Sequence, residues 1–314
     1  LSPQAKPRVS VIIPVFNGEA TIAAALDCAL AQQFEGGFEV IVADDASTDS
    51  TRKILRGYGD RIVLLERHHE GASAARNAAV EVSSGDYLAF LDADDTWMPR
   101  KLARSTEALD AHPECVLVYN DQAEADVAGK LINPSMFPSG HRPPALDDLL
   151  SLKHEYFSIV SSAVVMRRST YQACGGFDER LLSCNDTYLW ILARELGPFF
   201  YLDEPLGVRR GGPSVAREHW YVRGGPEFNR AVRARYGARY RGDLWHVNLM
   251  TAAANAMQRH DRALARQRYF EAIRHNPLRL KTYARLLLTF APFSIATAAD
   301  RFMHPAIRAR GESR

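Results

Sequence analysis

The chain is short of the features that would place it in a membrane or a disulfide-stapled scaffold. Its four cysteines, Cys28, Cys115, Cys174 and Cys184, are scattered over 314 residues with no CxxC pair. Such spacing builds no disulfide framework and reads as the reduced thiols of a cytosolic protein. No window reaches the ~18–20 uninterrupted apolar residues of a membrane span. The best stretch, 286–299, is cut by Pro292, and the opening "LSPQAKPRVS" lacks the apolar core of a signal peptide. Hydrophobic content of 46% against 24% charged residues leaves a globular protein, large enough for one big domain or one domain with an appendage.

What the chain does have is a charge asymmetry that its net +2 conceals. Residues 205–314 carry 21 Lys/Arg against 7 Asp/Glu, a balance of +14, so residues 1–204 hold 18 against 30, a balance of −12. An acidic front and a basic back point to two regions with different partners. The division is placed at 1–215 and 216–314.

The front alternates strand and helix. "RVSVIIPVF" (8–16), "FEVIVADD" (38–45), "RIVLLE" (61–66) and "DYLAFLD" (86–92) read as buried strands. Between them, 19–33, the capped stretch from Ser47 and 71–82 have helical periodicity. This alternation, with short crossovers, predicts an α/β fold with a mostly parallel sheet flanked by helices. Ligands of such sheets bind beyond the carboxyl ends of the strands, where Pro14–Phe16, Asp44/Asp45 and Asp92–Asp95 collect. Later come a helix at 99–112, a strand at 115–121 with a hairpin, a Pro-rich loop, a strand at 159–168 and a helix at 185–197. From Arg217 to Ala299 the chain reads as four or five Arg-rich amphipathic helices.

The acidic strand ends carry the chemistry. "YLAFLDADD" (87–95) closes an apolar run with Asp92, Asp94 and Asp95. A cap for the helix after Pro99 accounts for one of the three. The D-x-D-x-D-G spacing of a calcium loop is absent. The choice stays open between a solvated turn and a carboxylate pair holding Mg²⁺ or Mn²⁺, which would relieve their mutual repulsion. Asp44-Asp45 is open between an Asx turn and a carboxylate that accepts from a nucleobase imide or a ribose hydroxyl. "EGASAARN" (70–77) offers a Gly-preceded helix N-terminus that attracts anions, and Arg76 reaches either a phosphate or a surface carboxylate.

Taken in order, "VSVIIPVFNGEATI", "FEVIVADDASTDST", "EGASAARNAA" and "GDYLAFLDADDTW" resemble the inverting glycosyltransferases of family 2, with the GT-A fold. "GGFDERLLSCNDTYLW" (175–190) resembles the family's acceptor-side segment and "VRRGGPSVA" (208–216) its closing loop, so the resemblance covers about 8–215. It implies a metal-dependent transfer from a nucleotide sugar, a UDP-sugar being favoured, to a hydroxyl of a glycan or lipid-linked acceptor. Pro14 and Phe16 would line the nucleobase pocket, with Glu19 on the donor side, Asp45 reading the base and Asp44 supporting it. Asp92 would face ribose and metal, Asp94 would ligate Mn²⁺ or Mg²⁺, and Arg76 would hold the nucleotide. Asp186 falls at the catalytic base, and Arg209, Arg210 and Ser214 would close over the diphosphate. Asp95 is expected to be structural.

Two positions depart from the family's pattern. Asn185 stands where an acidic neighbour of the base is usual, and Gly211 where a His often approaches the metal. His219 is a possible substitute for that His, although a surface histidine is the simpler expectation. Trp97 and Trp190 have apolar neighbours and read as core rather than as sugar-stacking rings. A processive synthase is disfavoured, since Q-x-x-R-W is missing. The alternatives are a sugar-phosphate nucleotidyltransferase, which lacks its Gly-rich loop here, and a non-catalytic nucleotide-sugar-binding module. The basic tail, 217–310, either packs against the catalytic domain or a twin subunit, as in a homodimer, or docks on an anionic membrane at its inner face. No base-reading motif supports nucleic acid.

Overall fold

The computed structural model describes residues 6–290 apart from 127, 153–158 and 212–214, and leaves the side chains of 215–221 and 258 undescribed. The chain forms two compact units, Leu1–Gly212 with Ala231–Gly242, and Pro213–Arg230 with the chain from Asp243. Residues 231–242 thus count with the first unit.

The first unit is built on one sheet. Strands β1 (Val9–Val15), β2 (Phe38–Asp44), β3 (Val63–Glu66) and β4 (Tyr87–Phe90) alternate with helices α1 (Ile22–Leu30), α2 (Thr51–Arg56) and α3 (Ala72–Val82). Every residue of β1 is buried, which is why it reads as an unbroken apolar run rather than an alternation. On α1, Ile22, Ala25, Leu26 and Ala29 face the sheet at the spacing of a single helical stripe. β2, β1 and β4 pair in parallel, and β3 extends the set beyond β2.

Beyond β4 the chain adds β5 (Thr96–Trp97), α4 (Lys101–Ala111), β6 (Leu117–Ala125), β7 (Leu131–Asn133) and α5 (Leu146–Leu150). β8 (Val164–Arg167), α6 (Arg168–Cys174), α7 (Asn185–Leu196) and β9 (Phe199–Arg210) complete the sheet. Its order is β3-β2-β1-β4-β8-β6-β9-β5, with β7 on β6. β8 enters antiparallel between β4 and β6, so the parallel half lies at β1–β4 and the rest is mixed. β6 and β9 are parallel to each other and run with β1–β4, so six strands end at one edge. Residues 208–210, expected in a closing loop, are instead the last of β9 and pair with the end of β6.

The second unit contains the start of α8 (Val215–Tyr236), then α9 (Leu244–Gln258), α10 (Arg262–His275) and α11 (Leu280–Leu288). Ala253, Ala256, Ala265, Tyr269 and Leu286 form its core, the alanines letting the helices approach closely. Asp243 caps α9 by accepting from the His246 backbone N–H, and also meets Asn229 and His275. Among the described residues no helix is long and apolar enough to cross a membrane.

One close approach fixes the lower end of the sheet. At Gly85, just before β4, a Cβ would stand 2.6 Å from the Ser10 backbone N, and the Gly85 N–H donates to Ser10 Oγ at 2.8 Å. Gly85→Ala must push β4 off β1, which is expected to cost about 1–3 kcal/mol as overpacking does. Urea unfolding measures it, and an unchanged midpoint would show that this contact relaxes freely.

Candidate active site

The acidic turn after β4 collects three carboxylates. Ligand oxygens of Asp92, Asp94 and Asp95 all lie within 4.8 Å of one another, the first two half-buried and the third buried. The turn is closed by Asp95 N–H donating to the Asp92 carbonyl at 3.0 Å. Ser162 serves two of the acids: its Oγ accepts the Asp92 N–H at 3.0 Å and its hydroxyl bonds the Asp95 carboxyl. The Arg210 N–H, at the end of β9, donates to Asp95 Oδ1 at 2.8 Å. Burial, with the charges of Asp92 and Asp94 added, pushes the Asp95 carboxyl up to about 8. Asp95 is therefore structural in its bonds, as expected, yet electrostatically part of the cluster.

Arg76 pairs with a carboxylate of the acidic turn. It is buried on α3, and its Nη2 donates to Asp92 Oδ1 at 2.6 Å while the guanidinium lies 5.1 Å from the Phe177 ring centroid. Its Nε–H has no acceptor among the described residues. A buried donor of this kind costs about 1–3 kcal/mol until something accepts from it.

Asp186 reaches the same edge from the first turn of α7. The turn is tied to α3 by Asn185, whose Nδ2 donates to Ser73 Oγ at 2.6 Å and whose Oδ1 accepts the Asp186 N–H at 2.8 Å. The neutral amide at 185 is thus used as a clamp, a job a carboxylate could not do as donor. Burial raises the Asp186 carboxyl above the ordinary range and Asp92 adds to it, while the Thr187 N–H and the Arg76 charge pull the other way. Arg76 and Asp92 are therefore near enough to act on Asp186 electrostatically. Asn77, next to Arg76, fastens the loop before α7: it bonds the Phe177 N–H and C=O, Glu179 and the Tyr171 hydroxyl. Gly176 sits in the left-handed region at φ 77°, where a Cβ would crowd Asn77 and Tyr171 at 3.0 Å.

At the far end of the edge stands the candidate base pocket. Phe16 is 47% exposed and lies 4.4 Å, centroid to centroid, from His69. Asp45 accepts the N–H groups of Glu70 and Gly71 at 2.8 and 3.0 Å, and its Oδ2 is 2.9 Å from His69 Nδ1. Asp44 is fully buried and is held by Arg52 and the Ser47 N–H, which fits a supporting role. Pro14 is buried within β1 opposite Ala43, so Phe16 is the exposed member of that pair. Glu19 accepts the Ser50 N–H at 2.9 Å and so braces the loop that follows β2.

Arg209 and Arg210 end β9 beside the acidic turn, brought there by the pairing of Thr96 with Val208. Ser214 lies outside the described residues, as does the His219 side chain. Gly211 continues from β9 with its N–H on the Ala125 carbonyl. Trp97 and Trp190 are core residues whose indole N–H groups meet the carbonyls of Ser162 and Ile159. Sequence reasoning missed Ser162, His69, Asn77 and Lys101. Lys101 is fully buried on α4, and its ammonium donates to Asn120 and, at 2.6 Å, to the Ala163 carbonyl, pinning the short turn that presents Ser162.

Comparison with known proteins gives the family and the fold. Residues 10–175 match the model of glycosyl transferase family 2. A UDP-Glc:alpha-D-GlcNAc-diphosphoundecaprenol beta-1,3-glucosyltransferase of Escherichia coli, WfaP, is 32% identical over 163 residues, 51% of this chain and 61% of that protein. The chain spans about three fifths of the length of such curated relatives. Among solved structures, residues 1–349 of S. aureus TarS with UDP-GlcNAc superpose with a TM-score of 0.57 at 22% identity, covering 92% of this chain and 81% of that one. A mannosyltransferase of Pyrobaculum calidifontis, in complex with GDP-Man and Mn²⁺, gives 0.52 at 18%, covering 96% and 88%. These two likenesses carry the fold, which is GT-A.

Burial pushes the Lys101 amine down from 10.5 to about 7. The folded state therefore binds fewer protons than the unfolded chain between those values, and Lys101 opposes folding less as the pH rises through them. The stability of wild type relative to Lys101→Met should accordingly increase from about pH 7 to about pH 10, read as urea midpoints. Parallel pH profiles would show that Lys101 carries no suppressed charge.

Proposed function

The chain belongs to glycosyl transferase family 2 and is a glycosyltransferase, and we propose that it transfers a sugar, with inversion, from a UDP-sugar to a hydroxyl of a lipid-linked glycan acceptor. The observation that carries this reading is the meeting of Asp186 with the Arg76–Asp92 pair at the edge where six strands end. A non-catalytic module has no use for a carboxylate of raised basicity beside an acid cluster.

In the proposed reaction the donor base stacks against Phe16 and His69, within reach of Asp45. Asp45 is held in place by two backbone N–H groups, which fixes its direction without consuming all its lone pairs. The diphosphate lies between the acidic turn and the end of β9. Asp94 and Asp92 would hold a divalent cation, Mn²⁺ or Mg²⁺, with Asp95 behind them. The donor set fits: these are three hard oxygen ligands in one cluster, two of them half-buried. When bound, such an ion would neutralise charge on the leaving diphosphate. The unmatched Nε–H of Arg76 faces the same demand and is suited to a phosphate oxygen. Arg209 and Arg210 supply further charge from the end of β9, and Ser214 would add a hydroxyl contact.

Asp186 takes the acceptor proton. As the acceptor oxygen bonds to the anomeric carbon, the carbon–oxygen bond to the diphosphate breaks and its electron pair leaves with the phosphate. A single displacement inverts the centre. Burial that raises the Asp186 carboxyl makes it a stronger base for this step. The acceptor class is taken from the E. coli relative, whose name specifies a diphosphoundecaprenol-linked GlcNAc.

Asp186→Asn is expected to lower kcat by roughly a hundred- to ten-thousand-fold, the range for a positioned base, with UDP binding retained. A steady-state assay with UDP-sugar donors and a polyprenyl-diphosphate-linked acceptor tests it, and unimpaired turnover would remove Asp186 as base. In thermal shift, UDP should stabilise wild type more in Mn²⁺ than in chelator. Asp94→Asn should abolish that difference, and a shift independent of both would refute the metal assignment.

A further inference from the structure

α11 has two apolar faces, and among the described residues only one is packed. Leu286 and Thr282 turn inward, into the core of the second unit. On the other side Leu280 is 78% exposed, Leu287 69% and Tyr283 38%, with Leu278 (88%) just before the helix and Phe290 (60%) just after it. Positions 280, 283, 284 and 287 recur at the spacing of one helical stripe, and all four are exposed. A stripe of large apolar side chains this exposed is a contact surface rather than ordinary scatter.

The charge around the stripe says what covers it. Arg279 and Lys281 are exposed beside it, Arg274 is exposed at the end of α10, and Arg285 lies on the flank. From residue 272 to residue 299 the sequence has no Asp or Glu. Phe290 is held at the rim, 4.3 Å from the Arg266 guanidinium. A second copy of the chain, meeting this face about a two-fold axis, would set cations against cations. A nine-residue helix is also small for that purpose. At about 1.5 Å per residue it is about 14 Å long and, at about 10 Å broad, offers on the order of 150 Å², well short of the about 800 Å² per partner of a stable interface. An anionic bilayer has neither objection: its acyl boundary accepts the leucines and aromatics while its headgroups meet the rim cations.

We propose that the outward stripe of α11, Leu280, Tyr283 and Leu287 with Leu278 and Phe290, is a docking face for an anionic membrane surface. The cations snorkel toward the headgroups while the apolar side chains enter the acyl boundary. The inference rests on the lipid-linked-acceptor reading for its purpose, because attachment confines the enzyme to the surface where such an acceptor resides and raises its effective concentration.

The test is vesicle sedimentation of the full chain with no donor or acceptor present, so that its outcome is independent of whether the transfer chemistry is right. Wild type should bind vesicles of equal parts phosphatidylglycerol and phosphatidylcholine, but not phosphatidylcholine alone, and binding should weaken in salt. Leu280→Glu with Leu287→Glu should weaken the partition roughly tenfold or more. Because both positions face solvent, circular dichroism and the thermal midpoint should stay those of wild type. Transfer to a water-soluble acceptor should also be unchanged, and transfer to vesicle-borne acceptor should fall. Three results would overturn the proposal: no binding of wild type to anionic vesicles, undiminished binding by the double variant, or light scattering in which that variant turns an oligomer into a monomer.

Discussion

Three carboxylates packed within 4.8 Å at the end of a buried strand repel one another, and much of the first unit serves to hold them there. Arg76 on α3 neutralises one of them, and the end of β9 donates a backbone N–H to another. Ser162 bridges two, and the turn that presents Ser162 is itself pinned from below by a buried lysine. The direct restraint comes from three separate segments, at residues 76, 162 and 210. Such over-determination is what lets a cluster of like charge persist in a folded chain.

Much of this was legible in the sequence, for identifiable reasons. β1, β2 and β4 are buried on both faces, so each reads as an apolar run closed by polar residues, and the edge where those residues gather followed from the topology. Asp92, Asp94 and Arg76 stand out as acids and a lone Arg against apolar neighbours at a strand end and a helix start, whereas Asp186 is marked only by the resemblance to family 2. β9 was not legible. "FFYLDEPLGVRR" carries Asp203, Glu204 and Pro205 in its middle, and its pairing with β6 shifts register at Asn120/Asp121, which spoils any local pattern. The antiparallel entry of β8 between β4 and β6 is a property of sheet order and leaves no local trace.

The missed site residues share one cause. Lys101 begins a helix with polar character and reads as a solvated lysine, yet the fold encloses it against Asn120 and the Ala163 carbonyl. His69 sits in a polar loop, and only the meeting of the loops after β1 and β3 puts its ring against Phe16. Asn77 had no signal beyond its neighbour Arg76. In each case the side chain's partner is supplied by a remote segment, and residue type alone does not reveal who will arrive.

Asn77 also constrains the order of events as the chain is made. Its partners Phe177 and Glu179 lie 100 and 102 residues later, and Asn185 reaches Ser73 across 112. A growing chain that has emitted only β1–β4 can already close its parallel half, but the amide of Asn77 and the start of α3 then have no counterparts. The acidic edge is assembled only after α7 has emerged. Long-range closure of this kind is slow, and it leaves half-built sheet exposed in the interval. The acidic edge is therefore completed late in the chain's synthesis, well after its parallel half can close.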